Sequence, residues 1–378
     1  MRYIARSPLP SQRGGRVLVR ANNWIGDVIL STPALNCIRQ SFPDTRVSVL
    51  AKPWVIPALA HNPHIDEIIC YHSKDVHKGA FGLLRVSQSV RAQGFDIAIL
   101  LQRAFEAALI AYLARIPVRL GYSTDGRALL LTHRAKASRD EFLIPRVEHN
   151  LRLLEGFGLN TTEKDLVLRV GKESLEKAEE RLFGLGIRKD DRVFGLSPGS
   201  ALSALKRWHP DRFAQSASVI SSTYDAKGII FGAAPDKDLG DRILSEVSDR
   251  PIYNLIGETT LEEAIALIAL CGLFLSNDSG LMHTAAALDV PLGAIFGPSD
   301  PRTTSPWCKR FVLLRRKDLH CSPCMKKEDC PYDHECMRGI SVEHVLRGVE
   351  TLVRDYGFDT LGRRQENLAV SDRAVPVV

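Results

Sequence analysis

Four short segments concentrate side chains that do chemistry, and each follows a run of β-forming residues. The first is NNWIGD, residues 22–27. Gly26 permits a close turn, and Asp27 stands where a helix begins. The residues alone leave two readings of its carboxylate level: a cap on the helix, or a general base that takes a proton from a hydroxyl. A helix start favours the ionised form, which keeps a base available but weak. The second segment is SPGSALSALKRWHP, residues 197–210. Gly199 and its small neighbours bring N–H groups, with the hydroxyls of Ser200 and Ser203, near an anion. Lys206 adds a charge suited to a phosphate oxygen. A solvated loop with a surface lysine is the plainer alternative. Trp208 and Pro210 read as packing for the next helix.

The third segment is FGAAPD, residues 231–236. Its small residues admit a flat ring or a ribose. Asp236 either accepts from a sugar hydroxyl or caps a helix, and neither is favoured. The fourth is SNDSGLMHTAAA, residues 276–287. Asp278, Ser279 and Gly280 open a helix whose first N–H groups bind an anion by backbone alone. A capping role for Asp278 is the alternative. Ser279 adds a hydroxyl, and His283 falls about a turn later, on the ligand side of the reading. The alanines let the helix press on a sheet. No segment has the G-x4-G-K-[ST] spacing, and G-x-G-x-x-G, H-E-x-x-H and G-x-S-x-G are absent. Metalloprotease and serine hydrolase chemistry therefore have no support. The loops favour a diphosphate-bearing ligand on the C-terminal half.

Cys321, Cys324, Cys330 and Cys336 are clustered as C-x2-C-x5-C-x5-C, with His334 among them. The first pair has zinc-site spacing, and four thiolates could close a tetrahedral structural site, but the later spacings are less typical. Reduced cysteines in an irregular loop are the favoured reading, and no metal is expected to be needed for catalysis.

The elements that carry these loops alternate at βα spacing. Strands are expected at 16–21, 46–51, 65–71 and 95–101, with helices over 28–40, from 55 onward, and after 101 through 113. The pattern restarts with a helix over 174–183. Strands follow at 192–197, 228–232, 252–255, 273–276 and 291–296, with helices over 211–221, 237–248, 260–270 and 280–287. A last helix covers 342–355. Alternation of this kind builds parallel sheets covered on both faces. The chain is thus α/β, with two domains and a ligand cleft at the carboxyl edges of their strands. The expected boundaries are a flexible N-terminus at 1–15, a first domain at 16–185, a second at 186–340, a helix at 341–357 and a flexible tail at 358–378.

At 378 residues, 45% hydrophobic and 25% charged, the chain is of ordinary globular composition, which excludes a disordered or fibrous protein. No apolar run is long enough to span a bilayer, and no signal peptide is visible, so a cytoplasmic location is expected. Residues 1–190 carry 28 Lys and Arg against 19 Asp and Glu, and residues 191–378 carry 22 against 25. A basic first half suits phosphate groups or an anionic membrane surface. Nucleic acid is not expected as a partner, because the basic residues are dispersed and aromatic residues make up only 7%.

The motifs together resemble the bacterial ADP-heptose:lipopolysaccharide heptosyltransferases of glycosyltransferase family 9, most closely the heptosyltransferase II branch. The matching pieces are NWIGD (23–27), STPAL (31–35), KRWHP (206–210), SNDSGLMH (276–283) and VPLGAIFGP (290–298). The resemblance spans about residues 15–355 and extends to the cysteine segment. It implies a GT-B fold of two Rossmann-like domains, with the acceptor on the first domain, the sugar nucleotide on the second and the last helix returning to the first. It implies an inverting transfer from ADP-L-glycero-β-D-manno-heptose with no required cofactor. The acceptor would be the first heptose of heptosyl-Kdo2-lipid A, with an α-1,3 linkage formed at the inner face of the cytoplasmic membrane. Other core steps with a different acceptor remain the alternative within the family. By the same resemblance Asp27 is the catalytic base and Lys206 holds the diphosphate, aided by Ser200 or Ser203. Asp278, Ser279, Gly280 and His283 complete the donor site, and Asp236 meets the ribose. A monomer is expected.

Overall fold

Short aliphatic runs, buried on both faces, set the centres of two parallel sheets. The computed structural model describes residues 1–5, 9, 15–138, 140–247, 250–326, 328–366 and 368–378. It divides into two units, Met1–Leu168 with Arg373–Val378, and Arg169–Asp372.

The first unit holds β1 (Arg2–Ala5), β2 (Arg16–Arg20), β3 (Arg46–Ala51), β4 (Glu67–Cys70), β5 (Ile97–Leu100), β6 (Val118–Tyr122) and β7 (His133–Lys136). They form one sheet in the order β1-β7-β6-β5-β2-β3-β4. Only β1 on β7 is antiparallel. The helices Thr32–Ser41, Gly79–Ala92 and Phe105–Leu113 provide crossovers. The helical segment expected from residue 55 is instead a 3-10 turn, Pro53–Ala58. Pro57 explains this, since an interior proline removes a donor and clashes with the preceding turn of an α-helix.

The second unit holds β8 (Val170–Gly171), β9 (Arg192–Ser197), β10 (Ala226–Ile230), β11 (Ile252–Asn254), β12 (Leu273–Asn277), β13 (Leu292–Ile295), β14 (Phe311–Leu314) and β15 (Val370–Ser371). Its main sheet runs β11-β10-β9-β12-β13-β14, all parallel, while β8 and β15 pair separately. Gly195 on β9 is required by packing, because a Cβ there would stand 2.4 Å from the Phe274 ring. Phe194, Leu196, Trp208 and Phe213 join Ile295 and Leu314 in one core.

Four expectations need correction. The N-terminus is not wholly loose: β1 extends the first sheet, while residues 6–8 and 10–14 lie outside the described residues. The units divide after residue 168, not 185. The helix Lys172–Gly184 buries Leu175, Ala178 and Leu182 and packs on the helix Leu261–Ala269 of the second unit. The helix Val342–Tyr356 does not return to the first unit. Val345, Val349 and Leu352 enter the second unit's core, and Gly348 lets the helix lie on Leu314, which a Cβ would meet at 2.6 Å. Nor is the tail after 357 unstructured. Leu361–Glu366 is helical, and its buried Arg364 donates to the carbonyls of Ala269 and Leu288 at 3.1 Å each. The last residues belong to the first unit, where the Val378 N–H donates to Ile68 at 2.8 Å beside β4.

Counted from β2 and from β9, both sheets follow the same doubly wound strand order. The order reverses between β2 and β5 in one unit and between β9 and β12 in the other. Loops leaving such a pair diverge to opposite faces and open a crevice at the carboxyl ends of the strands.

Candidate active site

In the second unit the loops after β9 and β12 are tied together across that crevice. Asn277, the last residue of β12, donates from Nδ2 to the Pro198 carbonyl at 2.7 Å and accepts from the Trp208 N–H at 3.1 Å. Trp208 is buried, and its Nε1 donates to Ile340 at 3.0 Å. Both ends of the 198–208 loop are therefore anchored, and Lys206 is presented between them.

Lys206 Nζ donates to Asp278 Oδ2 at 2.6 Å, and Ser299 Oγ donates to the same oxygen at 2.5 Å. The Asp278 side chain is only 7% exposed and that of Lys206 16%. The ammonium has three N–H donors, so two remain for a ligand. Ser200, also buried, donates to the Asp278 carbonyl at 3.4 Å. Asp278 is not the helix cap. That position is Ser279, whose hydroxyl accepts from the Met282 N–H at 3.3 Å, and the helix proper is Gly280–Ala287. Its first N–H groups lie beside the ammonium's anchoring carboxylate. His283 is buried on this helix.

Asp236 stands at the cap position of the helix Lys237–Ser245 but makes no side-chain cap. Its carboxylate accepts from Arg207 at 2.7 Å, and the same guanidinium nitrogen reaches the Ser200 carbonyl at 3.4 Å. Gly199 makes room for this, since a Cβ there would stand 2.2 Å from Asp236 Oδ2. Ser203 caps the 3-10 turn Ala204–Lys206, accepting from Leu205 N–H at 3.1 Å. The structure thus joins Ser200, Lys206, Asp236 and Asp278 in one network and gives Ser203 a local backbone role.

The cysteine segment braces this network from behind. Ser322 Oγ donates to the Gly297 carbonyl at 2.7 Å and Met325 N–H to that of Pro298 at 2.8 Å. Both contacts steady the turn that carries Ser299. All eight cysteines are free. Burial, reinforced by the neighbouring thiols of Cys324, Cys330 and Cys321, pushes Cys336 up to about 11. Among the described residues, no three His, Cys, Asp or Glu side chains are grouped to hold a metal ion.

In the first unit Asp27 lies in the first turn of the short helix Ile25–Ile29, whose cap position is Trp24. Its carboxylate is therefore not the cap. The side chain is 38% exposed, and Arg146 Nε stands 3.9 Å from Oδ1. Beneath the loop, the buried Arg20 donates to Asn23 Oδ1 at 2.8 Å, and Trp54 Nε1 donates to the Asn23 carbonyl, also at 2.8 Å. Lys52 and Lys74 lie over the Trp54 ring, at 5.2 and 4.9 Å. Burial and the charge of Arg20 lower the Lys52 ammonium. Burial and then Arg146 lower Arg103, against the pull of Asp27 and Asp125. Asp27 is thus an accessible carboxylate amid cations and exposed indole rings.

Sequence reasoning missed Arg207, Ser299, Arg103 and Arg146. Arg207 was signalled by its place beside Lys206 in KRWHP. The others depend on contacts between distant segments.

With this geometry in view, comparison with known proteins decides the family. Residues 83–334 match the description "Glycosyltransferase family 9 (heptosyltransferase)". The chain belongs to glycosyltransferase family 9. It is 30% identical to lipopolysaccharide heptosyltransferase 2 of Salmonella typhimurium over 353 residues, covering 90% of this chain and 99% of that one. The structure of ADP-heptose lipopolysaccharide heptosyltransferase II of E. coli superposes with a TM-score of 0.75 at 25% identity, over 90% of this chain and 99% of the other. A family 9 glycosyltransferase from Veillonella parvula gives 0.80 at 27% identity, over 90% and 97%. This family 9 chain is an enzyme, a glycosyl transferase with the GT-B fold. Among its described residues no helix is long and apolar enough to cross a membrane.

Proposed function

We propose that the enzyme transfers L-glycero-D-manno-heptose from ADP-heptose to the first heptose of heptosyl-Kdo2-lipid A, inverting the anomeric centre to form an α-1,3 linkage. The observation that carries the reading is the Lys206–Asp278–Ser299 set at the start of the helix Gly280–Ala287. An ammonium with two open donors beside helix N–H groups suits a diphosphate.

Asp27 takes the proton of the acceptor hydroxyl as that oxygen attacks C1 from the face opposite ADP. The C1–O bond to the β-phosphate breaks, and both electrons leave with ADP. Lys206 and the helix start at Gly280 neutralise the charge that grows on this phosphate. Such preorganised stabilisation is commonly the largest catalytic term, and it meets the need that a divalent cation would otherwise serve. Asp236 and His283 are assigned to the nucleotide side.

The accessible Asp27, the exposed Trp24 and Trp54 and the cations Lys52 and Lys74 support an acceptor of linked sugars bearing negative charge. The acceptor is presented at the cytoplasmic face of the membrane. Membership in a heptosyltransferase family and the close relatives of type 2 favour this step over the other core transfers.

Calorimetric titration with ADP and with a non-transferable ADP-heptose analogue, each with and without EDTA, tests the donor side. Binding should survive EDTA, weaken in Lys206→Ala and persist in Asp27→Asn. Loss of binding in EDTA, or full binding by Lys206→Ala, overturns the assignment. Linkage analysis on defined acceptors tests the α-1,3 product.

A further inference from the structure

Large apolar side chains left in water are common singly and informative when they cluster beside cations. In the second unit they are scattered over separate elements, as with Leu202, Val219, Met325 and Tyr356. In the first unit four of them sit on two neighbouring helices. Phe81 is 87% exposed and Leu84 44%, both at the start of the helix Gly79–Ala92. Phe105 and Tyr112, 45% and 49% exposed, stand seven residues apart on one face of the helix Phe105–Leu113. The two helices pack on each other. A groove of about 420 Å³ runs along them, lined by Leu83, Leu84, Leu109 and Leu113 together with His77 and the single acid Glu106.

The chain is shaped to hold Phe81 outward. Gly79 has φ of +69°, and Gly82 lies so close to His77 that a Cβ would stand 2.1 Å from its carbonyl carbon. The turn therefore folds back under the phenylalanine. Cations flank it in the chain. Residues 72–92 carry four Lys and Arg against a single Asp. Lys78 occupies the helix cap position, with no side-chain cap and no acid in the first turn. This helix end is positive by its dipole as well as by its side chains.

We propose that this face docks on an anionic lipid bilayer, with Phe81 and Leu84 entering the acyl boundary and Lys78 and Arg85 meeting the phosphates. An apolar tip flanked by cations matches the depth profile of such a surface. The proposal rests on the reading that the acceptor is lipid-linked, and it names the segment that brings the enzyme to it.

Co-sedimentation with phosphatidylcholine vesicles, with and without phosphatidylglycerol, tests it. The wild type should bind the anionic vesicles more tightly, and less so as salt rises. Phe81→Ser should weaken that binding about tenfold, the scale of one buried aromatic side chain. Lys78→Gln with Arg85→Gln should weaken it about thirtyfold, at ~1 kcal/mol per charge. Both variants should keep wild-type affinity for ADP and wild-type turnover on a deacylated, water-soluble acceptor, which shows them folded. Undiminished vesicle binding by both variants overturns the proposal. So does a dimer in sedimentation velocity that Phe81→Ser abolishes, which would give the face to a second copy of the chain. Vesicle binding is read without donor or acceptor, so its failure overturns the docking face alone. Failure of the wild type to bind ADP overturns the ADP-heptose donor reading alone.

Discussion

At the strand ends of the second unit Lys206 and Arg207 each lie within hydrogen-bond distance of a buried carboxylate, 2.6 Å for Lys206 on Asp278 and 2.7 Å for Arg207 on Asp236. At those of the first unit Arg146 stands 3.9 Å from Asp27, and Arg103 and Arg146 repel each other. The strand order is the same in both. What differs is how firmly the charges are positioned before a ligand arrives. Paired and buried groups hold their geometry, which suits a small ligand of constant shape such as a nucleotide diphosphate. A carboxylate in the open, amid under-compensated cations, suits a larger and more anionic ligand that completes the charge balance itself.

The sharpest way to break this comparison is to remove the open carboxylate. Asp27→Asn keeps the shape and deletes the base. Turnover should fall by about 10²–10⁴-fold, the usual scale of general-base catalysis, while calorimetric affinity for ADP stays near wild type. Near-normal turnover would remove Asp27 from the mechanism.

The paired side gives the next largest effect. A hydrogen bond to a charged group contributes about 1.5–3 kcal/mol, so Lys206→Ala should lower kcat/KM for donor by roughly 10–150-fold. Part of the loss should fall on kcat if the ammonium follows charge that develops at the breaking bond. Initial rates with donor and acceptor varied in turn read this directly. A loss confined to acceptor KM would place Lys206 on the wrong substrate.

The two regions also differ in what their sequences disclose. β9 and the helix Gly280–Ala287 are legible with their bounds, because an apolar run ends in a small-residue loop that a helix follows at once. β6, β7 and β14 are not. VRLGY and HRAK carry arginine inside the run, and their strand character comes from the neighbours they pair with. The tail is illegible for the same reason, since Pro376–Val378 gains its partners from β4, far away in the chain. Within the donor loops the residue types announce Lys206, Asp278 and Ser279, but nothing local says that Ser299 will share Asp278 with Lys206. The alternative of Asp27 and Asp278 as caps is settled by three residues of register for Asp27 and by one for Asp278, a detail below the reach of pattern reading.

Acidification should distinguish the regions by stability. His149 is buried in the first unit, stacked on Tyr122 at 4.2 Å, and burial, followed by the charges of Arg103, Arg146 and Arg152, lowers it to about 3. The unfolded chain binds a proton there more readily than the folded one. The contribution is therefore complete above the ordinary histidine range, near 6.5, and is lost as pH falls toward 3. At pH 5 the loss should be about 2 kcal/mol. His149→Phe keeps a ring against Tyr122 and removes the titration. Urea midpoints measured between neutral pH and pH 5 should thus fall less in the variant. An equal fall in both proteins would show that His149 is not held neutral.

The smallest effect tests whether the paired site is held from behind. Ser299 touches Asp278 at 2.5 Å and sits on a turn fastened by Ser322 and Met325. It need not reach the donor to matter. By taking one lone pair of the oxygen that also holds Lys206, it fixes where the ammonium stands. Ser299→Ala should let that oxygen turn, and donor KM should rise about fivefold, near 1 kcal/mol for one hydrogen bond. Because the ammonium itself survives, kcat should change much less than in Lys206→Ala, and acceptor KM should not change. Ser299→Thr, which retains the hydroxyl, should restore most of the affinity. In the double variant Ser299→Ala/Lys206→Ala the two losses should fall short of additive, since Ser299 acts on the donor through Lys206. Fully additive losses would make Ser299 an independent donor contact and undo the argument that the cysteine-braced turn positions the lysine.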